Sequence, residues 1–140
     1  KQSGIQTPSG RMPAGVVPEA PATILVVDDK PEVLAVFRLL LERSGYRFLG
    51  ASQGLEAVAL VRRRENPVAA VILDLGLADA DGSAVCAELK AVADLPVILC
   101  SGLLAEVVQA RAAEVEADGF LAKPFTKLEL RQALQSVLPV

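Results

Sequence analysis

The 140-residue chain has no histidine and no tryptophan, one methionine, one tyrosine and two cysteines. Without histidine, zinc sites of the usual kind and any Ser–His or Cys–His nucleophile are excluded. A phosphohistidine within this sequence is excluded as well. Cys86 and Cys100 form no Cys-x-x-Cys pair, and each sits among apolar residues, which reads as a reduced, buried small hydrophobe. Positive charge is not in excess. The formal net charge is −3, so nothing in the composition supplies the basic face that direct nucleic-acid binding wants. No apolar run approaches the roughly 20 residues of a membrane span, so no membrane contact is expected. The residues before Ile24 lack the apolar core of a secretion signal, and a cytoplasmic setting follows as the expectation.

What is present is a dense apolar pattern. Hydrophobic residues make up 52% of the chain and charged ones 22%, the balance of one compact domain with a real core. Residues 1–22 stand apart: glycines and prolines punctuate them without periodicity, which reads as a flexible tail or linker ahead of a domain over 23–140. From Ile24 strands and helices alternate. Strands are expected over about 24–28, 47–51, 69–74, 97–101 and 119–122, and helices over about 31–44, 55–65, 82 onward, 105–116 and 127–138. Pro31 suits a first helical turn, Gly45 a helix stop and Asp81 an N-cap. This alternation means an α/β fold, a parallel sheet covered on both faces. Continuous rather than alternating apolar strands support burial on both sides.

Five side chains fall where these apolar runs end: Asp28, Asp29, Asp74, Ser101 and Lys123. Ligand sites of open α/β sheets form outside the carboxyl ends of the strands. Crowded carboxylates repel one another, and a hard divalent cation with oxygen ligands, such as Mg²⁺, offsets that repulsion. One carboxylate would then remain free as a nucleophile. Lys123 and Ser101 suit a phosphoryl group, one as a point charge and the other as a hydrogen-bond donor. Singly, each has a bland reading: a cap, a loop start, a strand end, a solvated lysine. Jointly, at the ends of the expected strands, they read as a site.

These segments are Ile24-Leu25-Val26-Val27-Asp28-Asp29, Asp74-Leu75-Gly76-Leu77 through Asp81-Gly82, Pro96-Val97-Ile98-Leu99-Cys100-Ser101-Gly102 and Phe120-Leu121-Ala122-Lys123-Pro124-Phe125. In order and spacing they resemble the receiver domain of bacterial two-component response regulators, over roughly residues 22–138. The resemblance implies a doubly wound, flavodoxin-like fold with strand order 2-1-3-4-5. It implies that Asp74 accepts a phosphoryl group from a phosphohistidine of a histidine kinase or histidine phosphotransfer domain. Asp28 and Asp29 match the acidic pair that holds Mg²⁺, with Asp29 favoured as the direct ligand, and the Gly76 carbonyl matches a further ligand. Ser101 matches the switch hydroxyl, Phe120 the aromatic that reorients with it, and Lys123 the lysine that precedes a cis proline. The isolated domain would be no enzyme beyond promoting its own phosphotransfer and dephosphorylation. A homodimer or downstream protein would use the fourth helix, fifth strand and fifth helix.

Departures from the family pattern are Ala78 in place of a proline, Lys30 after the acidic pair, and Gly76 and Leu103 at positions that tune dephosphorylation. Leu34 and Leu39 of the first helix flank an inward stripe of Val33, Phe37, Leu40 and Ser44, and read as wider core contact or as a docking surface. Glu114, Glu116 and Asp118 read as a solvated helix end, and Arg62-Arg63-Arg64 with Glu65 as an exposed helix terminus. Two contexts fit: a stand-alone regulator, or the C-terminal receiver of a hybrid sensor histidine kinase, which Lys1 as first residue favours. A phosphorylation-independent interaction module on the same fold is the alternative function. A hydrolase reading lacks an acidic residue two positions after Asp74, and a dinucleotide-binding reading lacks a glycine-rich turn after the first strand.

Overall fold

The apolar runs become the strands of one parallel sheet. The computed structural model describes residues 21–63, 67–77, 82–102, 104–114 and 116–138. Among them lie strands β1 (Thr23–Val27), β2 (Arg47–Ala51), β3 (Ala70–Asp74), β4 (Val97–Ser101) and β5 (Gly119–Ala122). Between and after them run helices α1 (Pro31–Arg43), α2 (Gly54–Arg62), α3 (Gly82–Val92), α4 (Ala105–Glu114) and α5 (Lys127–Val137). The expectations for residues 1–20, Arg64, Glu65, Ala78, Asp81 and Leu103 lie outside the described residues. No helix among the described residues is long and apolar enough to cross a membrane.

The sheet has the order β2-β1-β3-β4-β5, as the resemblance implies, with every neighbouring pair parallel. Alternate side chains of each strand feed two cores. Leu25, Val27, Val71, Leu73, Val97 and Leu99 meet α2, α3 and α4 through residues such as Val58, Cys86, Leu89 and Val108. Ile24, Val26, Ile72, Ile98 and Cys100 meet α1 and α5 through Phe37, Leu41, Leu130 and Leu134. Both cysteines are therefore buried and unpaired. Burial raises the Cys86 thiol and pushes that of Cys100 up to about 12, so neither is a ready thiolate.

The helix ends follow local chemistry. Pro31 opens α1, and Gly45 leaves it with a φ of 89°, a left-handed conformation that suits glycine. Thr126 caps α5 in a reciprocal box with Glu129, at 2.8 and 3.1 Å. The inward stripe of α1 needs correction. Phe37 is buried and Leu40 packs against the core as expected, but Leu41, which the stripe omits, is the second fully buried residue. Leu34 packs against the core beside Val33 and Leu40, whereas Leu39 and Val36 are 51% and 52% exposed. A period of 3.6 residues carries the stripe from Phe37 to Leu41.

Asp118 is the second correction. Its carboxylate accepts from Lys90 Nζ at 2.6 Å and from the Val97 amide at 2.8 Å, and its own amide donates to the Val97 carbonyl. It therefore ties α3 and the start of β4 to the start of β5. Burial would raise this carboxyl, but the Lys90 and Val97 hydrogen bonds outweigh it and hold it below its ordinary value. A depressed folded pKa stabilises above the unfolded carboxylate value of about 3.9, and that contribution fades as pH falls through the folded value. Asp118→Asn keeps an acceptor and is expected to lose at most about 1 kcal/mol, since the pair is partly solvated. Asp118→Ala strands the buried Val97 amide and should lose about 2 kcal/mol. Urea unfolding at neutral pH checks both, and the wild-type advantage over Asn should shrink below about pH 4.

Candidate functional site

The chain runs from β1 to the outer strand β2 and then back past β1 to β3, so the order of connection reverses between β1 and β3. Val27 lies opposite Leu73, so Asp28 and Asp74 emerge side by side at that switch point. Asp74 is in register with Cys100, and Ser101 with Ala122, which brings Ser101 and then Lys123 to the same edge. The Lys123 amide donates to the Ser101 carbonyl at 2.7 Å, and the Lys123–Pro124 bond is cis, as expected.

Asp28, Asp74 and Ser101 are all buried, at 1%, 5% and 6% exposure. Burial of charge without partners is costly, so the partners matter. Lys123 Nζ donates to Asp28 Oδ2 at 2.9 Å and stands 3.5 Å from Asp74 Oδ1. Asp28 Oδ1 accepts from the Lys30 amide at 2.9 Å. Burial by itself would lower the Lys123 ammonium, but the Asp28 hydrogen bond and the Asp74 charge outweigh it and raise it above its ordinary value. It therefore stays charged through neutral pH. The stability it lends is complete below the unfolded lysine value and is lost only as pH rises through the still higher folded value.

Two carboxylate oxygens are left over. Asp29 Oδ1 and Asp74 Oδ2 are shut off from solvent and have no hydrogen-bond partner. One oxygen each of Asp28, Asp29 and Asp74 lies within 4.8 Å of the others. Gly76 adjoins this space: a Cβ there would stand 3.6 Å from Asp74 Oδ2. Hard oxygen donors so grouped, two of them without protons to accept, are able to hold a divalent cation.

Every residue assigned from the sequence to metal and phosphoryl chemistry thus reaches one edge of the sheet. Phe120 differs. It lies on β5 and is 36% exposed, so it is not part of the buried core. Lys30 stands in the sequence as a departure from the family pattern that could slightly perturb the metal site. Its ammonium sits 3.6 Å from Asp29 Oδ1. Side-chain reach from the position after Asp29 was the available signal.

Comparison with known proteins agrees with this geometry. The family model described as "Response regulator receiver domain" matches residues 24–135. The "Probable transcriptional regulator ycf27" of Pyropia yezoensis is 37% identical over 115 residues, covering 82% of this chain and 46% of that protein. The chain thus spans about half the length of the curated relatives it matches. A response regulator receiver domain protein from Clostridium thermocellum superposes with a TM-score of 0.74 at 30% identity, covering 83% of this chain and 93% of that one. A Burkholderia pseudomallei response regulator, solved with a phosphorylated aspartic acid, calcium ion and citrate, gives a TM-score of 0.72 at 27% identity, covering 81% of this chain and 66% of that one.

Proposed function

The chain belongs to the response regulator receiver domain family, and from that premise we propose that Asp74 accepts a phosphoryl group from a phosphohistidine. The donor is a histidine kinase or histidine phosphotransfer domain, since this sequence has no histidine of its own. The observation that carries the reading is the orphaned Asp74 Oδ2, buried beside two other carboxylates and a lysine. An Asp74 oxygen attacks phosphorus, the P–N bond to imidazole breaks, and an acyl phosphate forms.

Asp28, Asp29, Asp74 and the Gly76 carbonyl would hold Mg²⁺, which when bound supplies charge neutralisation to the phosphoryl oxygens. Calcium with a phosphorylated aspartic acid in the Burkholderia protein supports a cation there. Lys123 already faces Asp74 and needs little movement to neutralise a phosphoryl oxygen. Ser101, next to Asp74's partner Cys100 in β4, offers a hydroxyl to another. Drawing Ser101 inward would open space toward Phe120, whose exposed ring is free to turn in. That couples the site to a shift between two pre-existing states. Loss of the phosphoryl group to water, promoted by the same residues, completes the cycle. The reaction belongs to the cytoplasm on this reading.

The output face would be α4, β5 and α5, where Leu104, Val107, Phe120 and Leu128 are exposed at 72%, 41%, 36% and 61%. Such a run of apolar side chains suits a second copy or a downstream protein. The donor would meet α1, whose exposed Val36 and Leu39 replace the pair Leu34 and Leu39 as the testable surface. Alanine at both is expected to slow phosphotransfer from a cognate donor about tenfold while leaving reaction with acetyl phosphate unchanged. Equal slowing of both reactions would remove the docking role.

The test of the main reading is intact mass after exposure to acetyl phosphate and Mg²⁺. One added phosphoryl group is expected. No addition at any Mg²⁺ concentration would overturn it and favour a phosphorylation-independent interaction module.

A further inference from the structure

Lys30 is a second cation at the acidic cluster, and it is held quite differently from Lys123. Lys123 is 21% exposed, hydrogen-bonded to the buried Asp28 and ion-paired with the buried Asp74. Lys30 is 58% exposed, and its Nζ stands 3.6 Å from Asp29 Oδ1, beyond hydrogen-bond distance. That oxygen has no other partner and is closed to solvent. Asp29 has the most accessible side chain of the three aspartates, at 27% against 1% and 6% for the side chains of Asp28 and Asp74. The Lys30 amide is engaged with Asp28 Oδ1, so the backbone fixes where this side chain starts while its ammonium remains loose.

An ion pair at this separation, half in water, is worth little and is readily displaced. Its charge nevertheless sits against an oxygen that a bound cation would use. With Lys123 alone, the three carboxylates would keep two formal negative charges, and Lys30 leaves them one. We propose that Lys30 is a tethered, displaceable counter-ion of Asp29 that weakens divalent-cation binding at the cluster and makes it more salt-dependent. The inference rests on the metal reading of the acidic cluster given above. On this view Lys30 is a positioning residue. It relieves repulsion among the carboxylates while the cluster is empty, and it yields the Asp29 oxygen when a divalent ion competes. Phosphoryl transfer would then depend on free Mg²⁺ over a higher concentration range than the carboxylates alone would set.

The experiment is a calorimetric titration of the full chain with MgCl₂, for wild type, Lys30→Gln, Lys30→Arg and Arg47→Gln, whose exposed side chain starts β2 at the opposite edge of the sheet. Lys30→Gln is expected to tighten Mg²⁺ binding about three- to tenfold. Lys30→Arg and Arg47→Gln should match wild type, since one keeps the local charge and the other removes one from the opposite edge of the sheet. The gain from Lys30→Gln should shrink as ionic strength rises from about 0.05 to 0.5 M. It should also vanish in an Asp29→Asn background, because the coupling runs through that carboxylate. Equal affinities for wild type and Lys30→Gln, or Arg behaving like Gln, would overturn the counter-ion role and leave the metal reading intact. Failure of every form, wild type included, to bind Mg²⁺ would overturn the metal reading and this inference together. The side chain is largely exposed, so the variants should fold, and far-UV circular dichroism checks that they do.

Discussion

Asp74→Asn protein incubated with acetyl phosphate and Mg²⁺ is expected to gain no phosphoryl group, while wild type gains one. The rate should fall by more than about 10³-fold, to background. The reason is chemical rather than steric. An amide is nearly isosteric with a carboxylate but offers no anionic oxygen to attack phosphorus. No neighbour is placed to take over. Both Asp28 oxygens are engaged, one by the Lys30 amide and the other by Lys123 Nζ. Asp29 faces the loosely held Lys30 and, on the reading above, is a ligand to the cation. Intact-mass spectrometry with peptide mapping reads the result. A label that persists in the Asn protein would place the acceptor elsewhere and overturn the assignment.

Lys123→Gln is expected to move two measurements in opposite directions. Phosphorylation by acetyl phosphate should slow about 10²-fold, because a charge that stabilises the transferring phosphoryl group is lost. Mg²⁺ binding should tighten, because Asp28 and Asp74 lose the ammonium now standing 2.9 and 3.5 Å from them. Lys30→Gln shares only the second effect, so the two lysines separate cleanly. Removing Lys123 also leaves a carboxylate of 1% exposure without its ion partner, and a loss of about 3 kcal/mol in unfolding free energy is expected without metal. Added Mg²⁺ should restore much of that loss. Lys123→Gln with unchanged phosphorylation would remove the lysine from the reaction.

Much of this site was legible in the sequence because strand ends are easy to read. A buried parallel strand is a short apolar run, and the first polar residue after it must surface at the carboxyl edge. Asp28, Asp74, Ser101 and Lys123 each obey that rule, and their order along the chain matched one family. Helix faces were harder. The stripe through Phe37 and Leu40 took in residues that do meet the core but left out Leu41, one turn on from Phe37 and fully buried. Asp118 looked like a solvated helix end because its partner Lys90 lies 28 residues away. Phe120 in an apolar run fitted both a core aromatic and a reorienting one, and only its place on the edge strand β5, where it is 36% exposed, separates it from the core.

The pattern of apolar runs, turn residues and strand-end polar groups therefore determined the α/β class, the strand boundaries within a residue or so and which polar groups gather at the candidate site. Those features depend on local burial, which periodicity reports. Only the tertiary structure decided how the charges are shared. Asp28 is held by Lys123 from a strand end 95 residues away, whereas Asp29 meets the adjacent Lys30. One oxygen of Asp29 and one of Asp74 are left without a donor. Pairing of this kind depends on distances across the sheet, and a linear pattern carries no measure of them.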